Sequence, residues 1–318
     1  MKTTHLFAIL LAALVSICFA DRVQAGTFGS GANTFDIEFV KIGDPGNLPD
    51  TTGNPNPAGT VAHAYRIGKF EISEDMIAKA NAEGGLGITK DTRGADKPAT
   101  SVSWNEAARF VNWLNTSTGF PPAYKFAVQP GEVGYSSNAN AQLWSIGDAG
   151  FDPNNLYRNS LAKFLLPSAD EWYKAAYYDP TGGVYYNYPT GSDTAPTGVN
   201  SGTAAGTAVY TRPFGQGPAD IMLAGGLSPY GTRGQGGNVF ELEETDFNLL
   251  NGPTSDARGL RGGYWSSGAL NLSSSNRLNG LPTGGNNVTG FRVALIPEPS
   301  TVMLLAMASL GFLLRRTR

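Results

Sequence analysis

Four carboxylates stand within six residues: Glu241, Glu243, Glu244 and Asp246. Carboxylate pairs can share acid and base work. In an extended segment Glu241 and Glu243 lie on one face, and Glu244 points away. In an acidic chain the expectation for such a run is a solvated patch. Three consecutive hydroxyls, Ser273-Ser274-Ser275, have no histidine near them in sequence, so they lack a base to make a nucleophile. Beyond residue 25 there is one histidine, His63, and no cysteine, since Cys18 is the only one in the chain. His63 is expected at a surface or strand edge. The stretch from Arg261 to Arg292 is the best wall for a site. It opens Arg261-Gly262-Gly263-Tyr264-Trp265 and closes Gly290-Phe291-Arg292. Its glycines let the backbone pass close to large rings.

The chain of 318 residues divides into three parts. Met1–Ala25 has a basic start, an apolar run and Val23-Gln24-Ala25, and reads as a secretory signal peptide. Residues 26–296 form the body. Residues 297–318 comprise Pro297-Glu298-Pro299, an apolar run of Thr301–Leu314 and the end Arg315-Arg316-Thr317-Arg318. The apolar run is shorter than the roughly 20 residues of a full span. Motif, apolar run and basic end together resemble the PEP-CTERM sorting signal of Gram-negative bacteria. That resemblance implies exosortase as an export partner and a membrane anchor, transient or retained, at the C-terminus.

Without its two ends the chain has 18 Lys and Arg against 24 Asp and Glu, a net charge of −6. No basic cluster remains, so nucleic acid is not an expected partner. With no cysteine in the body, disulfides and thiol chemistry are both excluded there. Gly 41 and Pro 20 with few charges point to an α+β, loop-rich domain.

Alternation predicts strands over Thr34–Ile42 and Ala64–Glu71. Ser73 caps a short helix through about Ala82, with Glu74 and Asp75 in its first turn. Ser103 and Glu106 form a capping box before a helix Trp104–Asn115, whose Trp104, Ala107, Ala108, Val111 and Leu114 share a core face. Residues 119–159 read as an insertion of little regular structure. Ser168 and Glu171 make a second capping box, with a helix to about Tyr178. Ser192–Gly236 is irregular, and a turn at Gly236-Gly237-Asn238 leads into another strand.

Lys97-Pro98 with Val102-Ser103-Trp104, Leu166-Pro167-Ser168-Ala169-Asp170-Glu171-Trp172, Gly236-Gly237-Asn238-Val239-Phe240-Glu241, Arg261-Gly262-Gly263-Tyr264-Trp265 and Gly290-Phe291-Arg292 follow in that order. In this the chain resembles the formylglycine-generating enzyme (sulfatase-modifying factor) family, from about Phe35 to Leu295. The resemblance implies a loop-rich variant of the C-type lectin-like fold. The family's oxidases hold copper through two cysteines, whose positions fall at Ser267 and near Leu272. A hydroxyl does not replace a thiolate as a soft copper ligand, so copper is not expected. Another branch binds iron through three histidines, which His63 alone cannot do. The family also carries structural calcium. For one site the matching positions are the carbonyls of Gly237 and Val239 and the carboxylate of Glu241; for a second, Asn200 is the candidate, and oxygen ligands suit that ion. Gly234 stands where the family often has an asparagine ligand, and Phe240 and Leu242 replace tryptophans. Arg261, Gly262, Gly263, Trp265, Arg277, Gly290, Phe291 and Arg292 are expected as framework.

The expected function is therefore non-catalytic binding at the cell envelope or in the extracellular matrix. Its partner would be an envelope polysaccharide or a surface protein, with Tyr135, Trp144, Tyr157, Tyr185 and Tyr186 as a stacking surface. The alternatives are a diverged oxidoreductase acting on protein and a structural matrix protein.

Overall fold

The computed structural model describes residues 23–296. The expected sorting segment, and the expected leader up to Arg22, lie outside these residues. Chain order begins with β1 (Val23–Phe28), β2 (Phe35–Ile42), β3 (Tyr65–Gly68), α1 (Glu74–Gly84) and α2 (Trp104–Ser117). Next come β4 (Phe164–Leu165), α3 (Ala169–Tyr177), β5 (Tyr178–Asp179), β6 (Val184–Tyr185), β7 (Thr197–Gly198) and β8 (Thr207–Ala208). The last strands are β9 (Phe240–Asp246), β10 (Arg258–Arg261), β11 (Leu278–Gly280), β12 (Thr289–Gly290) and β13 (Ala294–Leu295).

One sheet runs β1-β2-β3-β13-β4, all antiparallel. The pleat of β2 sends Phe35, Ile37 and Phe39 to one face and Val40 and Ile42 to the other. The first set joins Trp104, Phe110, Val111 and Leu114 of α2 in the largest core cluster. The second set packs with Tyr65, Ile67 and Ala175 of α3. The sheet is thus covered on both sides, which explains the hydrophobic excess of β2. The strand expected over Ala64–Glu71 is shorter, with β3 spanning Tyr65–Gly68. The leader boundary expected at residue 25 falls inside β1, where Val23 pairs with Val40 and Ala25 with Glu38.

Both expected capping boxes form. Ser103 Oγ accepts from the Glu106 N–H, and the Glu106 carboxylate accepts from the Ser103 N–H at 2.9 Å. Ser168 and Glu171 do the same for α3. Ser73 caps α1 through the Met76 N–H at 3.3 Å. Satisfying these amide groups fixes where each helix starts.

The second sheet runs β11-β10-β9-β12, with β9 antiparallel to β10 and parallel to β12. Residues 119–159 contain no helix or named strand, as expected, although Tyr124, Tyr157 and Arg158 are buried at its borders. Among the described residues no helix is long and apolar enough to cross a membrane.

Candidate functional site

The Arg261–Arg292 segment forms a wall, but the wall is closed. Gly262 has φ +89°, and a Cβ there would stand 2.7 Å from the Gln235 carbonyl oxygen. Only glycine fits that passage. Trp265 is buried, and its Nε1–H donates to the Phe214 carbonyl at 2.9 Å. Ser267 is 3% exposed. Its Oγ accepts from the Tyr264 N–H at 2.9 Å, which ties the hydroxyl into its own turn. Leu272 is fully buried and packs with Ala208 and Tyr210. Ser267 and Leu272, the positions at and near which the resemblance sets the copper cysteines, thus hold a turn-forming hydroxyl and a core aliphatic.

The acidic run departs from expectation. Glu241, Glu243, Glu244 and Asp246 are each at most 1% exposed, not solvated. The alternation itself is as predicted. Glu241 and Glu243 face Trp172 and three arginines, while Glu244 and Asp246 face the opposite way. Arg292 grips Glu241 with Nη2 and Nε, both at 2.5 Å, and the Trp172 Nε1–H adds a bond at 2.7 Å. Glu243 takes Arg261 Nε at 2.5 Å on one oxygen and Arg277 Nε at 2.8 Å on the other. Glu244 meets Arg158 Nε at 3.0 Å and the Tyr124 hydroxyl at 2.7 Å. Asp246 meets Arg258 Nη1 at 2.7 Å and the Tyr157 hydroxyl. Arg258 also lies 4.2 Å from the Trp104 ring centre and 3.9 Å from that of Tyr157.

The ladder continues into α3. Arg158 bridges Glu244 and Glu171, reaching both Glu171 oxygens at 3.0 and 2.9 Å. Burial raises the Glu171 carboxyl, but Arg158, His63 and the Ser168 N–H outweigh it and hold the group well below the carboxylate range. His63 is the half-exposed edge residue expected, with Nε2 3.1 Å from Glu171. Sequence reading missed Arg158, Arg258 and Tyr124 as ladder partners. Their counter-ions lie more than ten residues away or across sheets, so no local spacing announces them.

Of the positions named for calcium, the Glu241 carboxylate is already engaged. Both oxygens of Glu241 are occupied by Arg292 and Trp172, and the arginine already neutralises the charge a cation would need. Asn200 sits exposed on the loop after β7. Among the described residues no three His, Cys, Asp or Glu side chains gather where they could hold a metal ion. Glu71 lies beside this region, buried, with Oε1 accepting from Asn238 Nδ2 at 2.9 Å and Oε2 without a partner. Burial and the charge of Glu241 push its carboxyl up to about 7. Gly234, at φ +83°, makes room for it, since a Cβ there would stand 2.5 Å from Glu71 Oε1.

Four of the five aromatic side chains expected to make a stacking surface, all but Tyr186, are engaged apart from one another. Tyr157 is core. Tyr185 packs on Tyr173 and Tyr178, Trp144 donates to the Ala123 carbonyl, and Tyr135 donates to the Leu86 carbonyl. Each is spent on a different neighbour.

Sheet order, closed wall and ladder define a scaffold that the sequence comparisons identify. Residues 22–296 match the sulfatase-modifying factor enzyme 1-like domain, and the chain belongs to that family. Residues 295–318 match the PEP-CTERM protein-sorting motif, which implies exosortase-mediated export to the cell envelope or surface of a Gram-negative-type bacterium. No curated protein matches the chain. The fold is similar to that of Treponema denticola variable protein 1, at TM-score 0.58 and 21% identity, over 87% of this chain and 100% of that one. It is also similar to the crystal structure of CarF, at TM-score 0.56 and 18% identity, over 82% of this chain and 99% of that one.

Proposed function

We propose that the protein is an exported, non-catalytic binding protein, built on the sulfatase-modifying-factor scaffold and acting at the cell envelope. The carrying observation is the pair Ser267 and Leu272. One hydroxyl is held in a turn and one leucine is fully buried, where the family's oxidases place their copper thiolates. A soft metal has no donor there. The charges on β9 act as framework, each consumed by an arginine. What remains for function is recognition, of an envelope polysaccharide or of another surface protein.

The test is a glycan array and a pull-down from native envelope, using folded protein of residues 21–296. Specific capture in either supports the reading, and blanks in both refute it. The oxidoreductase alternative is tested separately, by copper titration and by oxygen consumption with a thiol peptide. Sub-micromolar copper affinity would overturn the proposal.

A further inference from the structure

Arg158, Arg258, Arg261, Arg277 and Arg292 each meet a carboxylate; Arg109 does not. Arg109 lies on α2 and is 3% exposed. Its Nε and Nη1 donate to the carbonyls of Ser137 and Val128 at 3.0 and 3.2 Å. Its guanidinium sits 3.9 Å from the Phe126 ring centre and 4.7 Å from that of Tyr135. No carboxylate among the described residues comes within ion-pair distance of it. Burial lowers its pKa, with only the Tyr135 hydroxyl acting against that. A buried cation without a counter-ion is costly, and an arriving anion would relieve it.

Trp113 follows four residues later on the same helix face. It is nine-tenths buried, and its Nε1–H has no acceptor among the described residues. Arg109 and Trp113 line one cleft of about 340 Å³, together with Gly84, Pro122, Gln129 and Pro130. A Cβ on Gly84 would stand 2.6 Å from Trp113 Cδ1 and 2.9 Å from Nε1, so the missing side chain keeps the indole edge open. The single charge on the lining is positive. The volume is at the lower end of small-ligand sites, enough for one or two rings.

We infer that this cleft binds a ring-sized ligand bearing a carboxylate, with Arg109 and the Trp113 N–H as donors and the prolines and indole as its apolar walls. A uronic acid unit and a free aromatic acid share that chemistry. The assignment deepens the binding reading above by naming a ligand class and a place.

The experiment follows the Trp113 indole N–H by NMR, assigned with Trp113→Phe, during titration with glucuronate, benzoate or glucose. The expected result is a saturable shift with glucuronate at a Kd of about 1 mM or tighter, and none with glucose at the same concentration. A response to benzoate as well supports the carboxylate assignment and points to aromatic acids; a response to glucuronate alone supports it and points to saccharide. Gly84→Ala fills the opening and should weaken binding at least about tenfold, as should Arg109→Gln, with melting midpoints confirming folded protein. Where Arg109→Gln does not fold, Gly84→Ala decides. Absence of a shift with both carboxylates up to about 20 mM, or unchanged binding in Gly84→Ala, overturns the proposal. Positive capture from native envelope alongside that outcome would leave the binding reading standing and remove only this site.

Discussion

A buried guanidinium on the β9 ladder finds a carboxylate, whereas Arg109 in the cleft beside α2 finds ring faces and two carbonyls. The residue type and the depth of burial are the same, but the roles differ. On β9 the charge is cancelled within the protein, so the arginines orient strands and leave nothing for a ligand. At Arg109 the compensation is incomplete, and the opening beside it leads outward. Burial of charge by itself therefore does not mark a functional site in this fold; the proposal above rests on the missing counter-ion at Arg109.

The largest expected effect tests the ladder. Glu243→Ala leaves Arg261 and Arg277 buried without their shared partner. It should cost about 3–5 kcal/mol in urea unfolding, because breaking a buried pair strands the remaining charge. A loss below about 1 kcal/mol would show that β9 is not held this way.

Arg109→Gln strands no carboxylate. Its loss should be about 1–2 kcal/mol, the scale of desolvated ring contacts. A cost equal to that of Glu243→Ala would erase the distinction between the two regions.

The pH dependence sharpens the contrast within the ladder's own neighbourhood. Glu71, raised to about 7, binds its proton more tightly in the folded protein than in the unfolded chain. Its stabilising contribution is complete below the ordinary value of 4.5 and is lost as pH rises through about 7. Glu171, held low, contributes above its ordinary value and loses that contribution as pH falls. Glu71→Gln should flatten the decline on the alkaline side and raise the melting midpoint at about pH 8. An unchanged profile would contradict the assignment.

Smaller still, Ser267→Ala removes one hydroxyl acceptor from a turn and should cost about 1 kcal/mol. Calcium at millimolar concentration should leave the melting midpoint where a chelator leaves it, since only ligands of the native state raise it. A calcium-dependent rise would overturn that expectation and return Glu241 and its neighbouring carbonyls to consideration as ligands.

The framework was readable where signals are local. Both capping boxes, at Ser103 and Ser168, start helices where spacing placed them, and the alternation of β2 and β9 assigns faces correctly. The burial of β9 was not readable. Its counter-ions arrive from residues 158, 258, 261, 277 and 292, brought together by sheet pairing and by a loop without periodic pattern. A charged strand looks solvated until those partners are placed. The aromatic side chains failed for the related reason that Tyr157 and Tyr185 sit in turn-rich sequence, where nothing local tells a core ring from an exposed one. The cleft at Arg109 was hidden more simply, as α2 reads as a pure core helix and the opening depends on Gly84 from α1.

β13 ends the described chain inside the five-stranded sheet, between β3 and the edge strand β4, and Pro297-Glu298-Pro299 follows immediately after Ile296. Where the tail is kept as a tether, mechanical tension on the protein enters through that internal strand. The Ile296 N–H on the Lys163 carbonyl at 3.1 Å takes the pull first, then the pairings of Leu295 and Ala294 with β3 and β4, and behind them the Gly68 N–H on the Val293 carbonyl at 2.7 Å. With antiparallel neighbours on both flanks, force along β13 shears several bonds together instead of peeling them one at a time. A retained tail would thus pull on a strand flanked on both sides.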